Sequence, residues 1–518
     1  EIGSGLVGSE MCIRDRADSR SVLSESDREY LEDKGIVMSA SVREKAFTQR
    51  FYLYLIMTKS AEKLYMSYAV KNSEGAALMP SYIIRSMRKM FSHCLKLSYK
   101  DTAQQNSYVT IPRAANSFDN TEIAANVDED IIDSLTGGRL VGSVTSFENF
   151  AECPLRYYLR YGVDLKEREE FTFSPVNFGV VLHAVIREVC DEIKKNGESY
   201  YLISEEKRRE MVKRSVAAIT DIYQNSILKD SSRNSFMIKR MEDLADRTVW
   251  AMGEQLKCGD FVPFVFEHKF NMEVGDGDRK QLMSGTIDRV DICENGTDVY
   301  VRIIDYKTGK KDFNIVKTYY GIDIQLMVYM EAAMKLVAKM RPGKNVIPAG
   351  VFYYNISDPI VSATTESADE IEDKIKGELR LKGMVNSDKD IAEKMDNTEG
   401  TSLNIPVSRK ADGGFDSRRS KVMNTEQFNM LGRFVDVRAV DTADRIAGGD
   451  IRRSPYKDGQ FSSCDRCPYG AVCGFSVDLP GCNYRKLKKF DDEVLWNNIK
   501  EGVDENGKKM DTGAEERD

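Results

Sequence analysis

The order of elements predicts an α/β domain, and three observations carry the prediction. Helical periodicity fills residues 146–258, strand patterns follow over 264–307, and a helix and a strand, DIQLMVYMEAAMKLVAKM and AGVFYYNI, come after them. Apolar residues at 3.6-residue spacing mark helix faces, and continuous or alternating apolar runs mark strands packed between such helices. The chain has 518 residues, more than one hydrophobic core accommodates, so roughly two to four domains are expected.

Residues 1–16, EIGSGLVGSEMCIRDR, lack the apolar core of a signal peptide and resemble a translated adaptor sequence. They are expected to lie outside the native fold, and the chain to be the C-terminal part of something longer. Between residues 38 and 70 a helix is expected from Ala46, Phe47, Phe51, Leu53, Tyr54 and Ile56, then a strand from the alternation over 63–68. Residues 81–97 read as a basic amphipathic helix. Together residues 17–100 form a first region, and residues 101–142, rich in Asn, Asp and Thr, are expected to be a linker.

The main domain is expected over residues 143–500. It opens with an aromatic-rich helix over 146–161, SFENFAECPLRYYLRY, and continues with a helix over 178–193 and long charged helices to 258. The strand block follows as VFEHKF, LMSGTIDRVDI and VYVRIIDYKTG, the last two joined by the turn Glu294-Asn295-Gly296, a hairpin signal. Residues 360–425 are polar and expected to form an irregular insertion, and a helix over 425–446 leads to a cysteine-rich end. Residues 501–518 are charged without apolar periodicity and are expected to be disordered.

Composition excludes several classes. At 41% hydrophobic and 31% charged residues the chain is globular, and no run of 18 apolar residues marks a membrane span. The formal charge of -8 excludes bulk attraction to nucleic acid but leaves room for a local basic groove. Ten cysteines are too sparse for a disulfide scaffold.

The chemistry concentrates at Asp288 in GTIDRVD and at Asp305 and Lys307 in IIDYKTG. Carboxylates at one level of adjacent strands can share a divalent cation. Asp305 and Lys307 are two residues apart, so their side chains leave one face of the strand. The lysine then stands beside the cation, where it can orient water and balance phosphate charge. Oxygen ligands with substrate phosphate suit magnesium. Gln325 and Tyr329, i and i+4 on the helix that follows after a short loop, share one face of it. The alternative is a hairpin with a solvated charged face.

The string GTIDRVD…IIDYKTG…QLMVY is similar to the RecB-type PD-(D/E)xK nucleases. The resemblance implies a DNA-hydrolysing α/β core with flanking helices. It assigns catalysis to Asp288, Asp305, Lys307, Gln325 and Tyr329. It assigns Mg2+ binding to His183, in GVVLHAVIREV, together with Asp288 and Asp305, with Glu267 as a neighbouring acidic group. His268, on the opposite strand face, is expected to be structural.

Cys464, Cys467 and Cys473 are spaced C-x2-C-x5-C, three ligands that need a fourth for either zinc or a cubane cluster. Cys482 is the nearest in sequence. The triplet with Cys153 in FAECPLRYY resembles the iron–sulfur staple of AddB-type and Cas4-type nucleases, which implies a 4Fe–4S cluster on Cys153, Cys464, Cys467 and Cys473. Cys94, Cys190, Cys258 and Cys293 are expected to be packing residues, and Cys12 lies in the adaptor-like segment.

Upstream, FTQRFYLYLIMTKSAEKLYMSYA resembles the last motif of superfamily 1 helicases, with Thr58, Ala61, Lys63, Leu64 and Tyr65 in place. Lys59 stands where an active ATPase carries arginine, and no G-x-x-x-x-G-K-[ST] occurs, so no ATPase site is expected in this chain. The two resemblances together point to the AddB-type subunits of bacterial helicase–nucleases. They imply a cytoplasmic partner of an AddA-type helicase–nuclease subunit that resects double-strand DNA ends, cuts the 5′-ended strand, and meets ATP only in the full complex. The alternatives are a Cas4-like or stand-alone RecB-like exonuclease and an inactive DNA-binding domain. Arg156, Arg160 and Lys486, with Tyr157 and Tyr158, are the expected contacts to DNA single strands and ends.

Overall fold

In the computed structural model the described residues are 25–35, 42–59, 64, 66, 68, 77–91, 126–128, 131, 141–166, 175–222, 232–274, 281–361, 367–477 and 482–515. The adaptor-like segment 1–16, most of the expected linker, and Ala61, Lys63 and Tyr65 of the helicase-like motif lie outside them. The chain divides into two compact units, residues 1–121 with 475–483, and residues 122–474 with 484–518.

The first unit contains helices α1 (Glu25–Asp33), α2 (Val42–Thr58) and α3 (Tyr82–Met90). Ser81 caps α3 by accepting from the Ile83 amide at 3.4 Å. Among its described residues, α3 ends at Met90, short of the expected 97. The strand expected over 63–68 is absent at its described positions, where Leu64, Met66 and Tyr68 are exposed. Alternation alone does not make a strand without a neighbour to take its backbone hydrogen bonds.

The second unit is built on a seven-stranded mixed sheet. β2 (Val262–Val274), β3 (Gln281–Asn295) and β4 (Asp298–Lys307) form an antiparallel meander. β5 (Asn345–Asn355) adds parallel to β4, as a crossover through α10 (Gln325–Met340) requires. The short β1 (Val141–Ser143) pairs with the start of β3, and β6 (Lys382–Asn386) and β7 (Val422–Met423) complete the other edge. One face packs against α6 (Pro175–Lys195), α7 (Glu205–Ile222) and α8 (Ser232–Lys257). The other packs against α4 (Val144–Glu152), α10, α13 (Thr425–Ala447) and α15 (Asp492–Glu515). Alternation along β4 assigns the faces: Tyr300, Ile304 and Tyr306 join the first core, and Val299, Val301 and Ile303 join the second.

Four expectations need correction. The helix over 146–161 is broken: α4 ends at Glu152, Cys153 is extended at φ -167° and ψ 118°, and α5 (Pro154–Tyr157) restarts before a π-helical turn over Tyr158–Gly162. Pro154 supplies no N–H and biases the residue before it away from helix, so the break is local chemistry. The segment 360–425 is irregular only in part, over residues 396–421. It forms α11 (Ala368–Glu378), strand β6 and α12 (Lys389–Met395), because Leu379, Leu381, Val385, Ile391 and Met395 are buried in the first core. Within the expected linker, the Val127 amide donates to the Gly449 carbonyl at 2.9 Å. Gly449 holds φ +71°, and a Cβ there would meet the Val127 oxygen at 2.1 Å, so only glycine fits. The tail is helical as far as Glu515, anchored by buried Leu495 and Ile499, which precede the window whose composition suggested disorder. No described helix is long and apolar enough to cross a membrane.

Candidate active site and cysteine centre

The register of three strands builds the site. Arg289 pairs with Ile304, so the next step brings Asp288 level with Asp305 on one face. On the other side Phe266 pairs with Arg289 and His268 with Ile287, which brings Glu267 level with Asp288. Three carboxylates thus form a row across β2, β3 and β4. Asp291 fixes this register from the opposite face. It is fully buried, accepts from Arg289 at 2.7 and 2.6 Å, and from its cross-strand partner Arg302 at 2.8 Å. A one-residue slip would leave those charges buried and unpaired, which costs several kcal/mol by order of magnitude.

Helix α6 brings His183 to the Glu267–Asp288 end of the row. Its Nδ1 is 3.4 Å from Asp288 Oδ1 and 3.6 Å from Glu267 Oε1. These three ligand atoms lie within 4.8 Å of one another, the only such trio among the described residues. Glu267 holds φ +48° inside a strand, a left-handed conformation that costs on the order of 1–3 kcal/mol in a non-glycine residue and concentrates at functional sites. Gly179, one turn before His183, faces Thr308, where an added Cβ would come 3.6 Å from the threonine methyl, so α6 runs close beside the end of β4.

Asp305 is the buried end of the row. Its Oδ1 accepts from Gln325 Nε2 at 3.0 Å, and the Lys307 ammonium stands against its Oδ2. Gln325 Nε2 also donates to the Tyr329 hydroxyl at 3.0 Å. Asp288 Oδ2 accepts from the Tyr306 amide at 2.6 Å, which ties β3 to β4 at the level of the carboxylates. The ring of Tyr329 fits because residue 285 is glycine: a Cβ there would meet Phe270 at 2.7 Å and Tyr329 at 3.0 Å. Gly285 and the Arg289–Asp291–Arg302 triad are determinants that motif spacing did not reveal.

Burial raises the Asp305 carboxyl from an ordinary 3.8 to about 7, and the charge of Asp288 adds to the shift. Burial alone would lower His183, but hydrogen bonds to Asp288 and Glu267 override it and raise the imidazole from 6.5 to about 10. The folded protein holds a proton on Asp305 that the unfolded chain releases, so stability falls as pH rises from 3.8 to about 7. His183 contributes stability that is complete below 6.5 and is lost as pH rises to about 10. A divalent cation held by these residues would have to displace both protons. Its affinity is therefore expected to tighten with pH up to about 10, with proton release measurable by calorimetry in buffers of different ionisation enthalpy. An affinity independent of pH would show that neither group titrates with the cation.

The second constellation joins distant segments. Cys153 sits buried at the break between α4 and α5, its sulfur 4.0 Å from the Arg452 carbonyl. Cys464 and Cys467 close one turn, the Cys467 amide donating to the Cys464 carbonyl at 3.1 Å, and Cys473 ends the short helix α14 (Gly470–Cys473). Burial pushes the Cys464 thiol up to about 11, and Cys153, Cys467 and Cys473 each add to the shift, so the four sulfurs share one neighbourhood. Cys482 is buried and belongs to the other compact unit. Cys190, Cys258 and Cys293 are unpaired thiols, and Cys190 and Cys293 are buried in the core.

The expected DNA contacts divide. Arg156 is paired with Glu152, across the break at Cys153, and mostly buried. Tyr157 is buried against Phe150 and is not available for base stacking. Arg160, over the Tyr161 ring, and Lys486 are exposed.

Similarity to known proteins bears on the same segments. A model of the PD-(D/E)XK nuclease superfamily matches residues 142–474. The chain is 31% identical to the B subunit of an ATP-dependent helicase/deoxyribonuclease of Clostridium acetobutylicum, over 94% of its own length and 47% of that protein. It is 30% identical to the protein of the same description from Lachnoclostridium phytofermentans, over 96% of its length and 47% of the relative. The chain spans about half the length of the curated relatives it matches. The family match takes in the broken α4–α5 helix, the three-strand row, Gln325 with Tyr329 and the cysteine triplet, and on that breadth the chain belongs to the PD-(D/E)XK nuclease superfamily.

Proposed function

We propose that this chain is the nuclease part of a B-type helicase–nuclease subunit, a magnesium-dependent deoxyribonuclease that trims DNA ends for recombinational repair. The observation that carries the reading is the row of Glu267, Asp288 and Asp305 with His183 at its Glu267–Asp288 end and Lys307 beside it. That oxygen-rich set fits a hard divalent cation, and a magnesium ion held there supplies Lewis-acid stabilisation for phosphodiester hydrolysis. His183, Asp288 and Asp305 are its proposed holders, with Glu267 as a further one. Gln325 and Tyr329 orient the Asp305 carboxylate through a hydrogen-bonded chain. Burial keeps the Tyr329 phenol protonated, well above its ordinary value. Lys307 offsets the charge of the carboxylate row and offers an ammonium to the incoming phosphate.

The four cysteines are the proposed ligands of a 4Fe–4S cluster. A single zinc ion with bonds of about 2.3 Å draws its thiolates to within about 4 Å of one another. A cubane cluster takes the same four thiolates at wider spacing, one on each iron, and the resemblance to iron–sulfur nucleases favours it. Arg160 and Lys486 are proposed phosphate contacts. The extent of the match, well beyond the nuclease core, favours a B-type subunit with an AddA-type partner in the cytoplasm over a stand-alone exonuclease. Cutting of the 5′-ended strand, and ATP use confined to the full complex, are part of the same proposal.

Anaerobically purified protein is expected to degrade linear DNA with Mg2+ and to be silent with EDTA. End-labelled substrates then read which strand is cut. Binding without cleavage under every divalent cation would favour an inactive DNA-binding domain.

A further inference from the structure

Gln325 is the first residue of α10, and the side chain of the preceding Ile324 provides no cap. The first amides of a helix are donors without partners inside it. Glu148, from the middle of α4, supplies the acceptor. Its Oε1 accepts from the Ile324 and Gln325 amides, at 3.0 Å each. The backbone of Gln325 is thereby fixed on one side while its side chain bonds Asp305 and Tyr329 on the other.

The surroundings of Glu148 are equally committed. Lys311 Nζ is 3.0 Å from Asp323 Oδ1, which also accepts from the Tyr353 hydroxyl at 2.7 Å. Lys311 lies over the Tyr353 ring at 4.5 Å, and Lys307 lies over the same ring at 5.6 Å. Burial raises the Glu148 carboxyl to about 7, opposed by Lys311 and reinforced by Asp323. A half-buried acid bonded to two main-chain amides at the root of Gln325 is placed to control where that side chain points.

We propose that Glu148 is a positioning residue of the nuclease reaction: it fixes the first turn of α10, and so holds the Gln325 amide against Asp305. Because α4 ends immediately before Cys153, the same helix connects the cysteine centre to the catalytic sheet. The inference rests on the reading of Asp305 as a catalytic carboxylate.

The test uses the full chain with Mg2+ and linear DNA. Glu148→Leu is expected to lower kcat about a hundredfold with KM for DNA unchanged, since small misplacements of catalytic groups cost that much. Glu148→Gln keeps an acceptor oxygen and is expected to restore most of the rate. Combining Glu148→Leu with Gln325→Ala should be no slower than the slower single variant, because the two act through one group. Amide exchange over residues 322–328 should accelerate in Glu148→Leu and stay protected in Glu148→Gln. Should the leucine variant fail to fold, Glu148→Asp, too short to span both amides, takes its place with the same expectations. Wild-type kcat in the acceptor-free or shortened variant, or additive losses in the double variant, would overturn the proposal. Cleavage persisting in Asp305→Ala would instead overturn the catalytic reading, while exchange at Ile324 and Gln325 would still report whether Glu148 holds the turn.

Discussion

Asp305→Ala is expected to reduce DNA cleavage by about a thousandfold or more while leaving the protein as stable as its parent, or more so. The two halves of the expectation share one cause. Asp305 is buried next to Asp288, and its raised pKa shows that ionising it costs the fold free energy at neutral pH. The carboxylate is retained for what it does when a cation and substrate phosphate are present. Alanine removes the charge and the acceptor for Gln325, so cation affinity and the orientation of Tyr329 fail together. Asp305→Asn separates these losses, since it keeps an acceptor for Gln325 without the charge. If it is as inactive as alanine, the charge is the essential part. Single-turnover cleavage of labelled linear DNA, with DNA affinity and thermal unfolding measured alongside, reads all three quantities. Cleavage that survives in Asp305→Ala would remove the residue from the mechanism. A large fall in unfolding temperature would show that it is structural.

Cys153→Ser is expected to have the largest effect on stability. Near four irons and matching sulfide per chain should fall to a small residue, and the unfolding transition of the nuclease domain should drop or lose cooperativity. Ligand binding that assembles distant segments is folding free energy, and structural metal sites contribute on the order of 10 kcal/mol. Cys153 has no local role that serine would spare, because the extended residue before Pro154 presents its side chain to the segment around Arg452 and Cys464. Cys482→Ser is the control and should retain the iron. Anaerobic iron and sulfide analysis with calorimetry decides the matter. One zinc without sulfide, or iron content indifferent to Cys153, would defeat the cluster assignment.

The placement of the carboxylate row was legible because strand alternation and hairpin register translate directly into geometry. Asp288, Asp305 and Lys307 needed only the period of two and a turn at Asn295-Gly296, and His183 followed from the family pattern. What the sequence concealed were acts of tertiary packing. Glu148 sits in an aromatic helix and is indistinguishable from a solvent-facing acid until the start of α10 is brought against it. Gly285 looks like a weak point in a strand until the Tyr329 ring is seen to occupy its missing side chain. The engagement of Arg156 was concealed as well: its partner Glu152 lies across the helix break at Cys153. The insertion over 360–425 was misjudged because its apolar residues are separated by polar stretches, too sparse for periodicity to register yet each directed into the core.

Arg485 tells when the domain can exist during its own synthesis. Its guanidinium donates to the Ala151 carbonyl and, at 3.2 Å, to the Glu152 carbonyl, the free acceptors at the end of α4, while its Nε holds the Ser454 carbonyl at 2.9 Å. The Leu155 amide reaches Arg452 in the same region at 3.3 Å. The opening and closing segments of the domain are thus stitched together across more than three hundred residues. Contacts of such sequence separation form late, because loop-closure entropy must be overcome before they contribute. The strands that carry the carboxylate row, β2 to β4, are complete while a ribosome is still translating the distal third, but the last carbonyls of the helix carrying Glu148 wait for Arg485. A nascent chain stalled before that point carries the carboxylate row while the end of α4 still lacks its tie to the closing segment, so the domain closes only once Arg485 has emerged.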